Sequence, residues 1–434
     1  MKRPIVIILL VIALVLICLG IGAVLFFAAN GSFLTNNPFD VRNISSVLEE
    51  SKTLKVDAEK PLVLKVADDA GDVTITGADV DTVQVKVVKT AYDSSQSRAD
   101  EEVKGIQYAI EQTGNSITLK YELPRSMNFN NKINTVDFVV IVPSETKVNV
   151  DTNGEVSVAS TIGNVDVKND FGDISVQNLQ GGLTVETESG AVTATSITAG
   201  ASAIDLHSGF GTITLEKASA GPVRLDSQSG ELDMSDVRAS GDVNMSTQFG
   251  NVNFEKGSAR SLTIKTQSGQ VKLISLNVSG DLKAEGGFGE IDLQKVKAGS
   301  YNLSTDSGSV TLEGAQGAIK VATGFGNISI TQAENASLDL NTQSGSIEFE
   351  GSLGEGPHTV HSDFGEIRLS LPTDSAVNVD LQTEFGNINS EIPVTVVLNG
   401  EAEKSHQVGT MNGGGPELNV STKSGSITIK ALKK

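Results

Sequence analysis

From Asp151 onward, apolar and polar residues alternate in runs of about four to six positions, and each pair of runs is separated by a glycine. In the run 261–266, Leu262, Ile264 and Thr266 share one face, and beyond Gly269 so do Val271 and Leu273. Leu338, Leu340 and Thr342, followed by Ile347 and Phe349, repeat the arrangement. A period of two sends alternate side chains to opposite faces of a strand, so each unit predicts two half-buried strands joined by two turns. The recurring motif is Thr or Ser, any residue, Phe or Ser, Gly, any residue, then Ile, Val or Leu. Its glycines are Gly154, Gly172, Gly190, Gly211, Gly230, Gly250, Gly269, Gly289, Gly308, Gly326, Gly345, Gly365 and Gly386, in steps of 18 to 21 residues, with Gly425 two periods later. A fixed period of this size predicts an all-β, parallel solenoid of coils of about 19–20 residues. Some 14 coils stacked at about 4.8 Å would form a rod of roughly 65 to 70 Å, aliphatic inside with a corner Thr or Ser, and polar outside.

The glycine marks a tight corner, where a positive φ or close approach of the next coil's backbone excludes a Cβ. Ahead of it, large and small residues alternate: Phe171, Ser189, Phe210, Ser229, Phe249, Ser268, Phe288, Ser307, Phe325, Ser344, Phe364. The repeat is therefore a pair of coils, and the alternation reads as corner packing, each Phe lying over a neighbouring Ser. An aromatic track that grips an extended partner is the other reading. Phe385 follows Phe364 with no Ser between them in the series, which predicts a change in the array there.

Residues 51–150 show weaker alternation, as at Leu62 to Val66 and at Val83, Val85 and Val87. A polar insertion from Asp93 to Ile110 reads as a helix start leading into strands at 106–110 and 117–121. The predicted organisation is a cap with the first coils over 51–150, the regular solenoid over 151–390, and a last coil and cap over 391–434. Stacking leaves two sheet edges that need such cover.

Residues 5–29 are uncharged, long enough at 1.5 Å per residue to cross a bilayer, and too long for the apolar region of a cleaved signal. Lys2 and Arg3 precede them and no basic residue follows until Arg42, which predicts one transmembrane helix, a cytoplasmic tail 1–4, and everything after residue 30 outside the cell membrane, beginning with a tether at 30–50. The formal charge of −20 argues against a nucleic-acid partner. A single Cys, Cys18, excludes a disulfide framework and a Cys-based metal site.

The stretch 137–143, DFVVIVP, leading into Val148-Asn149-Val150 and Gly154-Glu155-Val156, the serial Gly-x-Ile/Val corners, and the ending from Gly413-Gly414-Gly415 to Ile429 together resemble an uncharacterised β-strand-repeat family. It is the family called "putative adhesins", which includes LiaG-like cell-envelope proteins, and the resemblance covers about residues 50 to 432. It implies a bacterial or archaeal surface protein with a right-handed β-solenoid (β-helix), and it carries over no catalytic residue.

Asp170, Glu188, Asp306, Asp363 and Glu384 each precede a corner glycine by two residues, but the position also takes Gln and Gly, so they read as solvated acids rather than a convergent catalytic set. His207, His358, His361 and His406 lack a zinc spacing. No catalytic, cofactor or metal-binding residue is assigned. The expected function is non-enzymatic: a membrane-anchored envelope protein with an adhesin-like or structural role, whose partner is an envelope polymer or a surface protein. A polysaccharide lyase or hydrolase on the same fold, and an accessory component of an envelope-stress pathway, are the alternatives.

Overall fold

The computed structural model describes residues 44–57, 59–124, 132–396 and 405–432. Among them the chain is β throughout apart from one helix, Gln96–Gly105, and the strands join one continuous, right-handed solenoid. The predicted span 5–29, the tail 1–4 and residues 30–43 of the tether lie outside the described residues. No helix among the described residues is long and apolar enough to cross a membrane.

From Thr146 to Pro372 the chain makes twelve coils in chain order, each a pair of strands meeting at a corner glycine. Strands of successive coils pair in parallel, as in Leu262–Ser268 on Val243–Phe249 and Val271–Val278 on Val252–Ala259. One side of the coil stacks Val, Leu, Ile and Met in columns such as Leu225, Met245, Ile264, and the other matches it with Met234, Phe254, Leu273. These side chains are at most 2% exposed.

A second, unpredicted column shapes the coil. Six residues after the corner glycine, Ser160, Asn178, Ser196, Lys217, Asp236, Lys256, Ser275, Lys295 and Gln332 all have φ between 53° and 60°. One left-handed residue moves the in–out alternation by one step. The next residue therefore turns inward, and Leu179, Ile197, Ala218, Val237, Leu276 and Val296 complete the core.

Both ends depart from chain order in the same manner. Near the N-terminus, Leu62–Asp68 lies between Ser116–Tyr121 and Thr146–Thr152, and Val73–Ala78 between Thr135–Pro143 and Val156–Ala159. At the C-terminus, Glu417–Ser424 lies between His358–Phe364 and Val377–Phe385, and Ile427–Leu432 between Ile367–Pro372 and Ile388–Ser390. Two coils thus join at each end by interleaving, and the stack of sixteen spans about 70 Å at strand spacing.

Antiparallel strands then cover the exposed ladders. Thr82–Asp93 pairs with Thr135–Pro143 and carries Ile44–Lys55 outside it, while Ala109–Thr113 covers Ser116–Tyr121. The helix buries Ala99 and Val103 against this cover. At the other end His406–Met411 and Val394–Val396 cover Val377–Phe385. Residues 44–50, read from the sequence as tether, are the first half of the strand Ile44–Lys55. The open edge of Thr82–Asp93 supplies their hydrogen bonds, and Glu50 pairs with Lys89 at 2.5 Å.

Candidate functional site

At the corner, fifteen of the sixteen coils place a glycine in the same position, and Val136 stands there in the first. A Cβ built on Gly269 would stand 1.9 Å from the carbonyl oxygen of Gly250, one on Gly250 2.0 Å from that of Gly230, and one on Gly230 1.9 Å from that of Gly211. The series runs without interruption through Gly71, Gly154, Gly172, Gly190, Gly211, Gly230, Gly250, Gly269, Gly289, Gly308, Gly326, Gly345, Gly365, Gly425 and Gly386, always at 2.6 Å or less. Conformation adds to the demand for glycine at Gly269, where φ is +157°, a value side chains rarely adopt, whereas Gly230 and Gly345 lie outside that range and are held to glycine by the contact alone.

Next to the glycines runs a column of buried hydroxyls, three residues ahead of the corner in most coils. Ser208, Ser227, Thr247, Thr266, Thr305, Thr323, Thr342 and Ser362 each donate to the glycine carbonyl one coil back, at 2.9 to 3.3 Å. Asn169 donates to both Gly154 O and Gly172 O, which leaves the Thr187 hydroxyl unpartnered. A buried carbonyl without a donor costs about 1–3 kcal/mol, so the column is tied to the glycine approach.

The phenylalanines occupy the corner without packing into it. Phe171, Phe210, Phe249, Phe288, Phe325 and Phe364 are 58–67% exposed, and Phe385 is 76% exposed. The reading as corner packing is corrected by this exposure. The backbone is so tight at the glycine that the preceding side chain has no room inward. The rings stand in one row, each in register with a Ser on the adjacent coils, as in Phe210 between Ser189 and Ser229. The alternation does not fail at Phe385: the interleaved last coil places Ser424 between Phe364 and Phe385. Chain order alone could not reveal this, because Ser424 lies beyond Phe385 in the sequence.

Beside the N-terminal end of the row, Lys168, Asp170, Glu186, Glu188, His207 and Phe210 line a groove of about 430 Å³. His207 Nδ1 lies 3.0 Å from Asp226 Oδ1. Elsewhere, Asp363 pairs with Lys423 at 2.6 Å and with His361 at 3.3 Å, which holds its carboxyl below the usual range. Asp306 and Glu384 stand apart on outward strand positions of other coils. His358 and His361 are three residues apart, so they face opposite sides of one strand: His358 is buried among aliphatic neighbours, with its pKa lowered by burial, and His361 points outward. His406 faces Asp380 at 2.8 Å on the C-terminal cover. Among the described residues no group of three or more His, Cys, Asp or Glu could hold a metal ion.

One member of the buried column is an acid. Asp68 lies opposite Thr152 in register; its Oδ1 accepts the Ala70 N–H at 3.1 Å, and its buried Oδ2 has no partner. Burial, reinforced by Asp137, Asp69 and Asp72, pushes its pKa up to about 7.

The sequence profile of a known family matches residues 62–255 and again 255–430, so the two matches meet within the strand Val252–Ala259 and divide no structural unit. The chain belongs to the Toastrack DUF4097 family. Solved structures similar to this Toastrack chain include "a putative adhesin" from Bacteroides fragilis NCTC 9343, 14% identical, covering 65% of this chain and 97% of that one, with a TM-score of 0.31. A "putative adhesin" from Parabacteroides distasonis ATCC 8503 is 14% identical over 65% and 97%, with a TM-score of 0.33. A "putative cell adhesion protein" from Clostridium sporogenes ATCC 15579 is 12% identical over 89% and 100%, with a TM-score of 0.19. No curated protein matches.

Two outcomes follow from the corner. Gly230→Ala, at a corner free of positive-φ strain, is expected to cost at least about 2 kcal/mol in denaturant unfolding, since a Cβ there would stand 1.9 Å from backbone that cannot step aside. Gly105→Ala, with nothing within 4 Å, is expected to be neutral, and equal effects at the two sites would refute the contact argument. For Asp68, the folded pKa of about 7 exceeds the unfolded value of roughly 4, so the fold holds this proton more tightly than the unfolded chain does. Its stabilising contribution is complete at low pH and is lost as pH rises through 7. Asp68→Asn is therefore expected to raise the unfolding midpoint at pH 8 and to flatten its decline between pH 5 and 8, both read by thermal melts.

Proposed function

We propose that this chain is a non-enzymatic, membrane-anchored protein of the cell envelope. Its solenoid would be a rigid acidic projection outside the cell, with an adhesin-like or structural interaction role. The observation that carries the reading is the phenylalanine row. Seven large apolar side chains held in solvent along one edge form a patch of a size that marks an interaction site. The uncharged run 5–29 behind Lys2 and Arg3 supports anchoring in this orientation. A charge of −22 on the rest of the chain favours solubility of a long β-stack and disfavours nucleic acid as partner.

One observation favours a second reading, a polysaccharide lyase or hydrolase: Lys168 and His207 stand among Asp170, Glu186 and Glu188 in the groove beside Phe210. Retention of the full chain on envelope fractions and on purified wall polymers separates the two. The first reading expects retention that falls at least about tenfold when Phe210, Phe249, Phe288 and Phe325 are all changed to Ser, with no release of saccharide product. Product release abolished by Glu188→Gln, with retention unaffected by the Phe changes, would establish the second reading and overturn the first.

A further inference from the structure

We propose that the phenylalanine row seats a second copy of the same chain, running antiparallel, so that the rings of each copy enter the serine gaps of the other. The proposal rests on the reading of the row as an interaction surface and names its occupant.

The spacing of the rings points to this partner. Neighbouring strands lie about 4.8 Å apart, so rings on alternate coils are about 9.6 Å apart. Aromatic pairs attract at centroid separations of about 4.5–7 Å, so no ring in the row can satisfy its neighbour. A second, identical row displaced by one coil halves the spacing to about 4.8 Å, inside the attractive range, and places six of the seven rings of one copy over the six Ser of the other. Any partner must match the 9.6 Å pitch over the length of the row, and the chain itself does so by construction.

The interleaved C-terminal coil preserves this pitch. Stacked in chain order, Phe364 and Phe385 would occupy adjacent coils and close the gap between them. With Ser424 between them, seven rings keep one phase along the edge. At three of the seven rings, Phe210, Phe288 and Phe325, the preceding residue is a glycine with no side chain to crowd them, Gly209, Gly287 and Gly324, while Asp170, Gln248, Asp363 and Glu384 precede the others.

The area is sufficient. A phenylalanine buries about 150–250 Å² when fully covered, so seven rings at their observed exposure offer roughly 850 Å² per copy. The pair would bury about 1,700 Å², within the range of specific stable interfaces. Symmetry selects the orientation. A two-fold axis along the rods sets each Phe at the height of its counterpart, ring against ring. A two-fold axis across the row, between two coils near Phe288, sets six of the seven Phe at the height of a Ser and closes the dimer. The surrounding acidic surface repels a like-charged copy, so screening by salt strengthens the pairing, the reverse of a salt-bridged interface.

The test is sedimentation equilibrium of the full chain at about 0.1 M and 1 M salt, where the screening lengths are about 10 and 3 Å. A dimer is expected that tightens at the higher salt. The quadruple Phe→Ser variant at positions 210, 249, 288 and 325 is expected to weaken it at least 100-fold while keeping the unfolding midpoint the wild type shows when diluted to the monomer, since those side chains are exposed. In a Cys18→Ser background, Ser268→Cys or Ser307→Cys, one on each side of Phe288, is expected to cross-link to its own copy, and Ser189→Cys is not. Cross-linking through Ser189→Cys would mean a parallel pair and overturn the proposal. So would a chain that stays monomeric at about 0.1 mM, a concentration at which micromolar association is nearly complete. If that monomer still needs the four Phe for retention on envelope material, the row serves another partner and the function proposed above stands alone.

Discussion

The approach of one glycine to the carbonyl of the glycine beneath it is the constraint on which this structure depends. Backbone meets backbone there at a distance that no Cβ tolerates, and a buried hydroxyl satisfies the carbonyl in most coils. Two consequences follow from that contact. It fixes the register of every coil on the last, since a slip of one residue would bring a side chain into the contact and turn the aliphatic columns outward. It also leaves no interior space for the residue before the glycine. A ring at that position must stand in solvent, so the same contact that closes the coil displays the phenylalanine.

A stack of parallel coils has a liability that its core cannot address: each end presents a ladder of free N–H and C=O groups. Here the terminal coils are inserted one position inward, and antiparallel strands cover what remains. To unpair the coil 417–432, the chain must open two parallel interfaces rather than one. At the C-terminal end this arrangement also holds Phe385 in phase with the row. An end cap and a surface pattern thus share one structural solution.

Much of this was legible in the sequence because it rests on local chemistry. The two-residue alternation of Leu262 to Leu273 and the recurrence of the glycines specify strands, corners and stacking, because sterics leave few substitutes for Gly at such a contact. The helix at Gln96–Gly105 and the strand at Ser116–Tyr121 were also readable, from the polar insertion and the alternation that follows it. The column of left-handed residues was hidden because Asn, Ser, Lys, Asp and Gln all fill it, so no residue type marks the bend. The strand Ile44–Lys55 was hidden because its Asn- and Ser-rich surroundings resemble a linker and its partner lies about forty residues away. For the phenylalanine row, the positions could be read and the exposure could not. Alternating sizes fit a packed interior and an open edge equally well, and only the glycine contact shows that no interior space exists at that corner.

Native-state hydrogen exchange at the corner amides tests the glycine contact most directly. The N–H groups of Gly190, Gly211, Gly230 and Gly250 donate to Phe210 O, Ser229 O, Phe249 O and Ser268 O at 3.0–3.1 Å. If the corners hold the stack together, these amides exchange only with the core strands, at the free energy of global opening. Exchange within seconds, as at an ordinary surface turn, while the strand amides of Ile264 and Leu273 stay protected, would contradict the account.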